Sequence, residues 1–239
     1  MRLLTFGSAT LLAVAGFVIA WQFVNPAPPH TLVVATGHAD GAYYLFAQRY
    51  RKLLAENDIT LEIRTTAGSV ENLDLLANGS VNLAFVQGGT ADKAKDHALT
   101  SLGSLYYEPL WVFYRGTQTL SRLGQLQGMR IAIGADGSGT NAIASTLLAD
   151  NFIDHDADTI QSIGGATAAD ALRSGDIDVL FLVASPAAPL VQQLLYEQDI
   201  QLMSFARATT YTRLHPFLSA VTLPEGVIDL QANIPSRDT

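Results

Sequence analysis

From Thr31 onward, short runs rich in Val, Ile, Leu and aromatic residues alternate with longer stretches in which apolar positions recur every three or four residues. The short runs predict strands at 31–36, 60–65, 83–86, 110–114, 130–133, 159–163, 179–183 and 201–204. The longer stretches predict helices at 43–57, 69–78, 141–151, 167–174 and 189–196. Strands alternating with helices in this way are the mark of an α/β fold with a largely parallel sheet.

A faint internal repeat adds to this. The run N-G-S-V-N-L-A-F (78–85) reads like S-G-D-I-D-V-L-F (174–181), 96 residues later, each a helix end with Gly followed by a polar–apolar step into a buried strand. The strand and glycine loop that begin at Val33 are echoed from Ile131 at a similar separation. The repeat predicts two α/β lobes: residues 31–115 as lobe one, completed in part by 206–239, and residues 116–205 as lobe two.

Before the first strand the pattern is different. Arg2 is the only Asp, Glu, Lys or Arg ahead of Asp40, and residues 3–24 are apolar or weakly polar throughout. A helix of about 20 such residues crosses a bilayer. The stretch reads as an uncleaved anchor, with Trp21 at the interface. A signal peptide with Val18 and Ala20 before the cleavage point is the competing reading. In both, Arg2 stays inside and the rest is exported, which predicts a periplasmic protein anchored in the inner membrane. The run N-P-A-P-P (25–29) is a stiff spacer that cannot continue a helix, so residues 1–30 form a leader or anchor plus spacer.

Composition narrows the chemistry. The net charge is −8 and charged residues are 15% of the 239, with three lysines and no basic run, so the clustered cations that bind nucleic acid are missing. Without cysteine there is no disulfide, thiolate metal site or Cys nucleophile. The five histidines (His30, His38, His97, His155, His215) are scattered, with no H-x-x-x-H pair, which speaks against a metal site. No G-x-S-x-G nucleophile elbow occurs, and the glycine loop 134–140 lacks the Lys of a phosphate loop. Asp40 and Glu108 are the one carboxylate pair worth weighing, and nothing in the sequence brings them together. No cofactor and no catalytic residue is expected.

In parallel sheets the ligand end is the carboxyl end of the strands, where loops lead into helix N-termini with free N–H groups. Four loops have this form: 36–44, 65–72 with Ser69 as expected N-cap, 134–141, and 163–167. Two sets of helix N-termini facing each other across a cleft would hold a small anion without a buried Lys or Arg. The aromatic segment 105–114 predicts a buried strand at the lobe junction, with Tyr107 or Trp111 as a wall of the cleft.

Several of these segments together carry a family resemblance. The run A-T-G through G-A-Y-Y (35–44), the run T-A-G-S-V-E-N-L (66–73), A-F-V-Q (84–87), S-L-Y-Y-E-P-L-W-V-F-Y (104–114) and G-S-G-T (137–140) resemble, over about residues 32–223, the TAXI solute-binding proteins of TRAP transporters. The resemblance implies a type II periplasmic binding protein fold and a receptor, not an enzyme. Such a receptor captures a small organic anion, a dicarboxylate or acidic amino acid, and hands it to TRAP permease membrane subunits. Loops and resemblance together give the expected ligand-binding residues. Backbone groups at Gly41, Ser69, Ser138, Gly139 and Thr140 would hold the anion; Tyr43, Gln87 and Tyr107 would shape the pocket; Gly37, His38, Gly68, Asn72 and Gly165 would line it. Two departures stand out. Gly88-Gly89-Thr90 follows Gln87 where the family has a polar pair, and the chain stops at Thr239 where members continue into a further strand and helix, so a fragment is expected. The alternative on the same fold is a membrane-tethered sensor that signals to a partner protein.

Overall fold

The computed structural model describes residues 2–23, 29–39, 41–90, 99–154 and 158–239. Asp40, His97, His155 and most of the 25–29 spacer lie outside the described residues. Residues Met1–Thr31 and Leu32–Thr239 form two separate compact units.

The first unit carries α1 (Arg2–Phe23). The expected span at 3–24 runs past this helix into residue 24, which is not described. Among the described residues no helix is long and apolar enough to cross a membrane, so the membrane-spanning anchor is not carried by the structure.

The second unit contains two sheets. The first has the order β2-β1-β3, from β1 (Thr31–Ala35), β2 (Thr60–Arg64) and β3 (Leu83–Ala84). Helix α2 (Ala42–Ala55) follows β1 and α3 (Ser69–Ala77) follows β2. Val34, Leu61 and Phe85 pack with Ala47 of α2 on one side of the sheet, and Ala35 and Val81 with Leu75 of α3 on the other.

The second sheet has five strands in the order β6-β5-β7-β4-β8. They are β4 (Leu110–Arg115), β5 (Ile131–Ala132), β6 (Ile160–Gln161), β7 (Val179–Val183) and β8 (Ile200–Leu202). Strands β5, β6 and β7 run parallel, whereas β4 is antiparallel to both β7 and β8. Alternate residues of a strand face opposite sides, and in β4 both sides are buried. Val112 and Tyr114 join one core with α4 (Gly139–Ala149) and the 3-10 turn Leu123–Leu126; Trp111 and Phe113 join the other with α5 (Gly165–Ser174) and α6 (Pro189–Tyr196). This layering explains why the aromatic segment is so dense: it supplies two cores at once.

It also moves a boundary. The segment 31–115, read from sequence as part of lobe one, ends in a strand of the second sheet, because β4 has partners only there. The C-terminal region behaves alike. Helix α7 (Ala208–Leu214) seats Tyr211 in the β4–α4 core, where Leu218 also packs, and Leu223 lies against the opposite core. Only Phe217 reaches the first sheet's loops, lying over Gly88 and Gly89.

The internal repeat is written into the hydrogen bonds. After α3, Ser80 N–H bonds Leu75 O and Gly79 N–H bonds Leu76 O; after α5, Asp176 N–H bonds Ala171 O and Gly175 N–H bonds Leu172 O. Gly79 and Gly175 have φ of 74° and 80°, a left-handed cap that favours glycine. Next, Asn82 bonds Val33 reciprocally through its backbone N–H and its Oδ1, and Asp178 does the same with Arg130 through its backbone and Oδ2.

Candidate functional site

The carboxyl ends of β1, β2, β5 and β7 open into loops, and two of these meet head to head. Helix α3 starts after Gly68, whose φ of 136° and ψ of −152° suit only glycine. Gly68 is therefore the N-cap, and Ser69, expected there, is the first helical residue. A Cβ on Gly68 would stand 3.2 Å from Ser138 Cα, and one on Gly137 would stand 3.4 Å from Ala67 Cβ. Val70 N–H donates to Gly137 O at 3.1 Å, across the junction. Ser138 caps α4, its Oγ accepting from Asn141 N–H at 3.1 Å. The helix thus begins at Gly139, two residues earlier than the sequence predicts.

At this junction the N–H groups of Ser69, Gly139 and Thr140 have no acceptor among the described residues. They are first-turn donors of two helices, whose partial positive charges add at one spot. The expected donors Gly41 and Ser138 are engaged elsewhere, Gly41 N–H on His38 O and Ser138 N–H on Ala135 O. These two bonds close the turns before α2 and α4.

The other expected residues divide by role. Gln87 belongs to the junction: a Cβ on Gly139 would stand 2.3 Å from Gln87 Oε1, and Gln87 N–H donates to Ser69 Oγ at 2.9 Å. The Thr140 hydroxyl accepts from Val183 N–H at 3.3 Å and holds the end of β7. Asn72, fully buried, is a brace and not a pocket wall. Its amide N–H groups go to Thr36 O and to Phe85 O (2.7 Å), while its Oδ1 accepts from Thr66 Oγ1 at 2.6 Å. Gly37 is buried next to Tyr43, whereas His38 and Gly165 are exposed. Tyr107 is 74% exposed, and Trp111 is 4% exposed with its indole N–H on Ala184 O at 2.9 Å. Neither has the half-covered position of a cleft wall: Trp111 is core, and Tyr107 faces solvent.

The aromatic element at the site comes from elsewhere. Tyr43 on α2 stacks on Phe85 (5.3 Å between centroids), and its hydroxyl donates to Glu108 Oε2 at 2.5 Å. Tyr106 donates to Glu108 Oε1 at 3.2 Å and stacks on Phe46 at 5.0 Å. Burial pushes the Glu108 carboxyl above its ordinary 4.5, against the lowering from its two tyrosine partners. Burial, then the Glu108 charge, pushes both tyrosine hydroxyls up as well. Tyr106 and the tyrosine partnership of Glu108 escape sequence reasoning; an acid flanked by Tyr-Tyr and Pro inside an apolar run is the available signal. The Asp40–Glu108 pair is not assessed, since Asp40 is outside the described residues. No group of three His, Cys, Asp or Glu able to hold a metal is found among the described residues.

Residues 34–236 match the model of the NMT1-like family. The chain belongs to that family. The match takes in both sheets and all the loops of the junction, so the site is part of what the NMT1-like model describes. In fold the chain is similar to the periplasmic aliphatic sulphonate binding protein SsuA from Escherichia coli, with a TM-score of 0.51 and 16% identity over 74% of this chain and 57% of that one. It is also similar to the alkanesulfonate-binding protein SsuA from Xanthomonas axonopodis pv. citri bound to MOPS, with a TM-score of 0.54 and 18% identity over 80% and 70% of the two chains. An ancestral arginine-binding protein bound to arginine gives 0.55 and 12% over 74% and 79%. The chain thus spans a little over half the length of the Escherichia coli protein. At these identities the likeness carries the fold, an α/β periplasmic binding protein-like architecture, and function has to be argued from the site.

Proposed function

We propose that Leu32–Thr239 is an extracytoplasmic solute receptor whose two sheets belong to two lobes, and that it captures a small organic anion where the N-termini of α3 and α4 converge. The observation that carries this reading is the set of three partnerless N–H groups, on Ser69, Gly139 and Thr140, at a junction so close that glycine is needed on both sides. The alkanesulfonate-binding proteins of like fold take anionic solutes by their names, which agrees with an anion at this point. Delivery to TRAP-type permease subunits is the reading favoured by the runs A-G-S-V-E-N-L and Y-x-E-P-x-W-V-F-Y. We read the apolar N-terminal helix as an export leader that sends the domain to the periplasm; a mature mass lacking residues 1–20 supports this, and an intact N-terminus refutes it. Binding and release, without turnover, complete the proposed cycle.

The test is thermal unfolding with a panel of dicarboxylates, acidic amino acids and alkanesulfonates. At a hundredfold excess over Kd, a true solute stabilises by about 2.7 kcal/mol, which for a chain of this size raises Tm by roughly 5–10 °C. Ser138→Trp fills the junction and is expected to abolish the shift. An unchanged shift in that variant removes the site from α4.

A further inference from the structure

The cluster around Glu108 has a direction. Gln87 N–H has one proton and gives it to Ser69 Oγ. The Ser69 hydroxyl stands beside the Tyr43 oxygen and acts on it as a hydrogen-bond donor, favouring its ionised form. Tyr43 gives its single proton to Glu108. A chain of one-proton donors that ends on a carboxylate runs only one way. The stacking of Tyr43 on Phe85 and of Tyr106 on Phe46 keeps both hydroxyls in place. While Glu108 is ionised, the Ser69 proton is therefore turned toward Tyr43 and away from the free N–H groups of Ser69, Gly139 and Thr140.

We propose that Glu108 is a positioning residue of this site, and that an anionic solute binds together with one proton taken from solvent onto the Glu108 carboxylate. Protonated Glu108 no longer needs the Tyr43 proton, the hydroxyl chain is released, and Ser69 Oγ–H becomes a fourth donor to the solute. Loss of the carboxylate charge also removes a repulsion two hydroxyls away from the anion. The groups facing Glu108 fit this role. Tyr43 faces it from α2 and Tyr106 from its own segment, while Arg49, on the same helix as Tyr43, lies 5.7 Å from the Phe46 ring centroid and makes no ion pair with Glu108. The cluster thus has no described cation to hold the carboxylate ionised, and burial already favours its neutral form.

The proposal rests on the junction being an anion site, and the experiment separates the two. The full chain is titrated calorimetrically with L-glutamate, succinate and ethanesulfonate, each in buffers of different ionisation heat. The expected result is uptake approaching one proton per solute at pH 7.5, with affinity falling about tenfold per pH unit once free Glu108 is ionised. Glu108→Gln is expected to bind with no proton uptake and a flat pH profile. Tyr43→Phe, which keeps the ring on Phe85, is expected to flatten the profile as well. Binding without uptake in the wild type, or uptake retained in Glu108→Gln, overturns the proposal and leaves the receptor reading standing. No binding by any probe overturns both. A solute-free arm reads the carboxyl directly. Its folded value is raised, so its contribution to stability is complete below the ordinary value of 4.5 and is lost as pH rises through the raised one. Over that window the wild type should lose stability relative to Glu108→Gln. Parallel curves overturn the proposal.

Discussion

At the scale of single residues, the site is framed by side chains that look alike in sequence and do unlike work. Asn72 and Gln87 are both amides next to the junction, yet Asn72 spends its whole amide on Thr36, Phe85 and Thr66, whereas Gln87 leans on Gly139. Removing a buried amide with three partners leaves two carbonyls and a hydroxyl unsatisfied, which costs about 3 kcal/mol. Asn72→Ala is therefore expected to lower the urea midpoint by about 1 M or more, and a change below 0.3 M would refute the brace. Ser69 makes a related point about legibility. Its type and place before Glu71 announce a helix start, but which residue caps is decided by the entry angle that Gly68 allows, and that angle is not visible in composition. The freed hydroxyl then serves Gln87 and Tyr43.

At the scale of elements, much was legible and the misses have physical causes. Strand β7 and helix α6 have the bounds that periodicity predicts, because their apolar faces are continuous. Helix α4 begins earlier than predicted because Gly139 and Thr140, poor helix formers, occupy the first turn, where propensity matters least and the Ser138 cap matters most. Helix α7 escapes prediction altogether: Ala208-Thr-Thr-Tyr-Thr-Arg-Leu has three threonines and no side-chain cap. It is held by tertiary contacts, with Tyr211 bonded to Asn151 and His215 to Asp150. The repeat, by contrast, was readable because its glycine caps and polar clamps are local. Asn82 and Asp178 perform one task, but Asp178 also pairs with Arg130 through both carboxylate oxygens. This partnership lowers its pKa, so its benefit is present above the unfolded carboxyl value and is lost as pH falls through the folded one. Asp178→Asn should keep the clamp and cost clearly less than Asp178→Ala in chemical denaturation. Equal losses would mean that the ion pair, not the clamp, secures the strand.

At the scale of the whole molecule, the loop after β3 is the place where the first sheet's loops meet both the junction and the C-terminal segment. Gln87 touches Gly139, and two residues on, Gly89 sits under Phe217 with a φ of 88°; a Cβ there would stand 2.3 Å from the ring. Gly89→Ala is expected to destabilise by about 2 kcal/mol from backbone strain and the clash together. Pairing it with Phe217→Ala should recover the clash and not the strain, an interaction energy readable in a double-mutant cycle. Additive losses would place Phe217 off the loop. The chain's two tryptophans, Trp21 and Trp111, lie in the two separate units, so the domain without its leader carries a single native fluorophore. Trp111 is bonded to Ala184 O, and Ala184 N–H is bonded to Pro109 O, next to Glu108. The indole is thus linked through two hydrogen bonds to the residue beside the carboxylate. Because the chain has no cysteine, one introduced thiol bearing a dye on α3 would be its sole acceptor, and motion of the first sheet's helices against the second sheet could be followed by energy transfer from an otherwise natural protein.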